Sequence, residues 1–145
     1  IDYPFQSLLI QIECGSNHTL FLCKNGELYG CGSNQEGQLS FNKQEYYPCL
    51  HGITQLKLLT NIVQISCCDS TSYAVDNNGV LYTFGSNKYN ELGIGDQKEN
   101  TINILSGYNV KILSTGAYYG GFIDKNGLLY MFGDNEHGQC GIQSS

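Results

Sequence analysis

The chain has 145 residues, a formal net charge of −6, and seven Lys with no Arg. Nucleic-acid affinity rests on cationic side chains neutralising phosphates, and base readout leans on Arg, so this composition argues against a nucleic-acid partner. No stretch approaches the length of an apolar membrane span, and no N-terminal targeting pattern is visible.

Taken in chain order, the sequence is three near-copies of one segment. An apolar strand carrying Leu9, Ile10 and Ile12 precedes Thr19 to Leu39, where two runs of β-formers flank Asn25-Gly26. The second copy has Ile62, Val63 and Ile65, then Ser72 to Leu92 around Asn78-Gly79, and the third has Val110, Ile112 and Leu113, then Gly120 to Cys140 around Asn126-Gly127. The copies align without a gap, and the Asn-Gly pairs lie 53 residues apart (26 to 79) and 48 apart (79 to 127). Each pair predicts a hairpin with a type I′ turn, whose two central residues take positive φ. The second hairpin arms carry Tyr29, Tyr82 and Tyr130, then Cys31, Phe84 and Phe132 two residues on, so one strand face is apolar at period two and predicts equivalent packing layers. A fourth strand is expected in the linkers, near Cys49 to Ile53 and near Ile102 to Leu105. A period near fifty with a hairpin in every copy predicts an all-β array of blades, because one small sheet cannot bury its faces alone.

The recurring pattern runs Gly-x-x-His-Thr-Leu, a turn with Gly, Leu-Tyr, and a closing Gly-x-Asn-x-x-Gly-x-Leu. The first copy carries it as Gly15-Ser16-Asn17-His18-Thr19-Leu20 and Gly32-Ser33-Asn34-Gln35-Glu36-Gly37-Gln38-Leu39. The later copies keep Gly85-Ser86-Asn87 with Leu92-Gly93, and Gly133-Asp134-Asn135 with Gly138-Gln139. This resembles the repeat of the regulator of chromosome condensation family. The resemblance implies a partial seven-bladed β-propeller of about three four-stranded blades, with repeats at approximately 8–40, 61–94 and 109–142. Residues 1–145 are then expected to be one repeat segment of a larger ring. The absence of Trp sets the chain apart from WD40 blades, and a Gly-Gly pair in one copy of three sets it apart from kelch blades. Cys68 departs from the pattern where Gly15 and Gly116 keep it, Asn90 replaces the late Gly, and Thr71 and Tyr119 replace His18.

No catalytic constellation is visible. His18, His51 and His137 accompany no nucleophile motif and no phosphate-cradling loop. The seven Cys show no Cys-x-x-Cys spacing, and Cys31 and Cys140 stand where other copies have Phe or Leu, so they are expected to be buried free thiols of a reducing, cytoplasmic protein, without metal or cofactor. Two functions stay open. One is a protein-interaction scaffold; the other, implied by the resemblance, is a nucleotide exchange factor for a Ran-like small GTPase. In exchange-factor members the repeat histidines are expected on the GTPase-facing side, so His18 is a candidate contact, or else it caps and orients its own strand through local hydrogen bonds. Further candidate contacts are Glu36, Tyr89 and His137, aligned at one variable loop position, and Tyr46 and Tyr47 in the longer linker. The loop Asn residues are expected to bond to local backbone and shape turns.

Overall fold

The computed structural model describes residues 3–40, 48–95 and 102–142. Every regular element among them is a strand. The first antiparallel sheet is β1 (Leu9–Cys14), β2 (His18–Cys23), β3 (Leu28–Ser33) and β4 (Cys49–Gln55), paired in chain order. The second repeats this with β5 (Ile62–Cys68), β6 (Thr71–Asp76), β7 (Leu81–Gly85) and β8 (Asn103–Leu105). The third has β9 (Val110–Thr115), β10 (Tyr119–Asp124) and β11 (Leu129–Gly133), three strands among the described residues. The fourth strands expected in the linkers are β4 and β8.

The turns differ from the expected type. Only the Gly of each Asn-Gly pair has positive φ: 82° at Gly26, 80° at Gly79 and 84° at Gly127. The Gly26 N–H donates to the Cys23 carbonyl at 2.9 Å and Cys23 N–H to the Glu27 carbonyl at 2.9 Å, which makes a three-residue loop closed by a left-handed Gly instead of a two-residue type I′ turn. Asp76 and Asp124 open the later copies, and Oδ1 of each accepts two backbone N–H groups, from Asn78 and Val80 and from Asn126 and Leu128. Such an acceptor at the first turn position favours this geometry over the one needing two positive φ values.

The core lies between sheets, not within them. Leu20, Leu22, Leu28 and Leu39 of the first repeat meet Ile65, Ala74 and Phe84 of the second. Tyr73, Val75 and Leu81 of the second meet Leu113 and Phe122 of the third. No described blade packs on the corresponding face of β1, so Ile12 is 58% exposed where its equivalent Ile65 is 1% exposed. For the same reason Cys14 is exposed while its equivalent Cys67 is buried, and Cys49 is exposed too, so burial does not extend to all the thiols.

Backbone bonds stitch each seam. Ile62 N–H donates to the Gly26 carbonyl at 3.1 Å and Val110 N–H to the Gly79 carbonyl at 2.8 Å, so the hairpin tip of one blade clips the first strand of the next. A Cβ at Gly26 or Gly79 would lie 2.9 Å from the Cα of Asn61 or Asn109. Gly is required there by the seam as well as by the turn. Gln11 adds a paired contact, with Nε2 donating to the Ile65 carbonyl at 2.9 Å and Oε1 accepting its N–H at 3.1 Å.

Candidate functional site

Strand direction puts the turns at 15–17, 68–70 and 116–118 and the closing loops at 33–39, 86–92 and 134–140 at one end of the array, opposite the Asn-Gly tips. The Ser33 N–H to Asn17 carbonyl bond at 2.7 Å and its counterparts from Ser86 and Asp134 join turn to loop in each copy. Within each loop the signature Asn is a staple. Oδ1 of Asn34, Asn87 and Asn135 accepts the N–H of Leu39, Leu92 and Cys140 at 2.9, 3.0 and 2.9 Å. A second staple comes from Gln38, Glu91 and Gln139, whose side-chain oxygens accept the N–H of Glu36, Tyr89 and His137 at 3.0, 2.6 and 2.9 Å. The expectation that these Asn shape the loops by local bonding holds in all three copies. The frame is constant, and the residue at its tip varies.

That variable tip presents three of the candidate residues. Glu36, Tyr89 and His137 are exposed. Tyr89 reaches across a seam to Tyr118, with ring centroids 4.8 Å apart, and Lys88 Nζ lies 5.2 Å from its ring centroid. Tyr46 and Tyr47 lie outside the described residues. Sequence reasoning missed Tyr118 and Lys88. The signal was present, since Tyr118 is an aromatic ring at a turn position held by Asn17 and Ser70 in the other copies.

His18 is 3% exposed and inside the first seam. Its Nε2 lies 2.7 Å from Ser72 Oγ in the next blade, and Ser72 Oγ donates to the Gln38 carbonyl at 2.7 Å. With the hydroxyl proton committed to that carbonyl, Nε2 must carry the imidazole proton and donate to Ser72. Nδ1 is then a buried lone pair with no partner. Burial pulls the imidazole down to about 4, against a smaller upward pull from Asp69. The bonding reaches across the seam to a residue 54 positions away, not along its own strand as one sequence reading has it. The side chain itself is not presented at the surface.

The departures from the repeat pattern are coupled. A Cβ at Gly15 would run into the His18 ring, and one at Gly116 into the Tyr119 ring. In the second copy the residue three positions on is the smaller Thr71, whose hydroxyl donates to the Ser86 carbonyl at 2.9 Å, and Cys68 fits. At the second seam Gly120 stands where Ser72 stands at the first, so a His at 71 would find no hydroxyl there. Replacing Gly15 by Ala is therefore expected to cost about 2 kcal/mol, because the added methyl also meets the Asp69 backbone carbonyl at 2.6 Å. Gly116→Ala should cost under about 1 kcal/mol, since only the partly exposed Tyr119 side chain must move. Equal losses in urea titrations of the two variants would contradict this account.

Among the described residues no group of three or more His, Cys, Asp or Glu is placed to hold a metal ion. Burial raises the Cys67 thiol to about 12 and the Cys68 thiol to about 11. A pocket of about 230 Å³ on the third blade is lined by Ile112, Gly121, Leu129 and Met131, on the face equivalent to those buried at the two seams, and it holds no charged side chain.

Two family profiles, both described as regulator of chromosome condensation (RCC1) repeat, match residues 9–38 and 25–75. The X-linked retinitis pigmentosa GTPase regulator of Canis lupus familiaris is 34% identical over 91 residues, 63% of this chain and 9% of that protein. Serine/threonine-protein kinase Nek9 of Mus musculus is 30% identical over 120 residues, 74% of this chain and 12% of that protein. Prp20p of Saccharomyces cerevisiae superposes with a TM-score of 0.79 at 19% identity, over 97% of this chain and 34% of its own. The chain thus spans a small part of these relatives and about a third of a solved RCC1 β-propeller. Recurring motif, profile match and blade architecture agree: the chain is an RCC1-like repeat protein with the fold of a partial β-propeller.

Proposed function

We propose that this segment is a protein-interaction module that binds its partner through the closing loops at one end of the blades and does not itself catalyse nucleotide exchange. The observation that carries the reading is the doubly stapled loop frame, repeated three times with a different side chain at each tip: Glu36, Tyr89 and His137. A fixed backbone with variable exposed tips binds without a large ordering cost, which suits recognition. Such a surface is expected to release its partner when the tips change. Pull-downs with the intact protein should recover a partner, and Glu36→Ala, Tyr89→Ala and His137→Ala together should reduce its recovery about tenfold, the scale of a small set of interface side chains. Unchanged recovery would sink the proposal.

The exchange-factor reading draws support from two relatives. One carries the name GTPase regulator, and Prp20p is described with binding properties toward Gsp1p and histones. Against direct participation of His18 stands its place inside the seam. A fluorescent-nucleotide release assay across small GTPases separates the two. Release at the intrinsic rate is expected, and acceleration lost on changing the loop tips would favour exchange.

A reducing intracellular location is part of the same proposal. Under native alkylation Cys14 and Cys49, which are exposed, should react first, and Cys67 and Cys68, whose thiols burial keeps protonated, should react last. A defined disulfide pattern in the native protein would contradict it.

A further inference from the structure

The two ends of the blade array differ in charge. Glu13, Glu36, Asp69, Asp134 and Glu136 lie at least partly exposed at the loop-bearing end, where Glu91 is buried, and among the described residues only Lys88 opposes them there. At the Asn-Gly end the balance is reversed, with Lys24, Lys57, Lys111 and Lys125 facing Glu27, Asp76 and Asp124. The same sheets therefore present a strongly acidic edge and a nearly neutral one. Acidic side chains alone do not define a partner, but the acidic end also carries an aromatic feature at the second seam that the first seam lacks. Tyr89 and Tyr118, from different blades, are 36% and 37% exposed and meet at 4.8 Å with their planes inclined by 44°. One of these rings already takes a cation, the Lys88 ammonium at 5.2 Å. The repeat-equivalent positions at the first seam hold Glu36 and Ser70, so this cation-accepting pair is confined to the second seam.

We propose that the loop end docks a basic, arginine-containing segment of a partner protein, with one guanidinium lying on the Tyr89–Tyr118 pair and neighbouring cations facing Glu36, Asp134 and Glu136. This rests on the reading that the loop end is the interaction surface. Charge complementarity selects the class of partner, and the aromatic pair selects Arg over Lys, because a planar guanidinium stacks on a ring and sheds water more readily than an ammonium. Lys88 occupies the ring when no partner is present and must be displaced.

The test uses the intact protein and fluorescein-labelled oligoarginine, with oligolysine and oligoglutamate of matched length, read by fluorescence anisotropy at low and physiological salt. Oligoarginine should bind more tightly than oligolysine, and oligoglutamate should not bind. Glu36→Lys with Glu136→Lys should weaken oligoarginine about tenfold, whereas Glu27→Lys at the opposite end should leave it within about twofold. Tyr89→Leu should abolish the preference for arginine over lysine, and Lys88→Gln, which leaves the fold untouched, should raise arginine affinity about threefold by freeing the ring. Equal weakening by Glu27→Lys, or an arginine preference that survives Tyr89→Leu, overturns the proposal. Cross-linking to a captured partner distinguishes the two levels of failure. Links from the loop end to an uncharged or acidic stretch would remove the basic partner and keep the interaction surface, while links that avoid the loop end would remove both.

Discussion

Replacing Tyr73 by Ala is expected to lower the stability of the blade array by about 4 kcal/mol, the scale for deleting a large aromatic side chain from a packed core. Tyr73 is fully buried at the second seam, and its ring lies 5.7 Å from Phe132 of the next blade. Its hydroxyl donates to the Glu91 carbonyl at 2.7 Å and lies 3.2 Å from Cys68 Sγ. The ring thus joins a blade, its own closing loop and the following blade. Tyr73→Phe keeps the ring and leaves the Glu91 carbonyl without its donor, so a loss of about 1 to 2 kcal/mol is expected. Chemical denaturation of both variants measures this. A loss below about 1 kcal/mol for Tyr73→Ala would mean that this seam does not depend on its central side chain.

The second large effect is a pH dependence set by His18. Its pKa is near 4 in the folded protein and 6.5 for the free side chain. The unfolded chain therefore binds a proton as the pH falls through 6.5, while the folded chain stays neutral until about 4. Stability contributed by the neutral imidazole is complete above about pH 6.5, falls progressively below that, and is lost by about pH 4. A difference of this size corresponds to about 3 kcal/mol. The physical cause is burial in the seam: Nε2 is committed to Ser72, so the incoming proton must go to Nδ1, which is buried with no acceptor. His18→Gln should flatten the stability profile between pH 4 and 6.5 while lowering stability at pH 7. A profile as steep as that of the parent would show that other groups dominate the acid response.

What the sequence made legible was whatever repeats within a copy. The hairpins, the linker strands at Cys49–Gln55 and Asn103–Leu105, and the local role of the loop Asn all follow from patterns of a few residues. The partner of His18 did not, because Ser72 sits in a neighbouring blade and no local spacing announces an inter-blade register. The turn geometry was hidden for a different reason. Asn-Gly suits two kinds of hairpin loop, and the acceptor that reinforces the observed one in the later copies, Asp76 or Asp124, precedes the pair by two residues, while the first copy closes the same loop with Cys23 at that place. One seam feature was readable in principle. Gly15 goes with His18, Gly116 with Tyr119, and Cys68 with Thr71, a trade of volume three residues apart that becomes visible when the copies are compared with each other.

The clip from each hairpin tip to the next blade bears on where this chain can change length. The Gly26 and Gly79 carbonyls must reach Ile62 and Val110, so one residue added at a tip would carry the acceptor away from its donor and release the neighbouring blade. The two repeat periods nevertheless differ by five residues, 53 against 48, and the aligned segments contain no gap. All of that difference falls between the closing loop of one copy and the first strand of the next. Insertions, affinity tags and proteolytic sites should therefore be tolerated in those connections outside β4 and β8, and the two clipped tips at Gly26 and Gly79 should reject them despite the exposed Asn25 and Asn78 beside them.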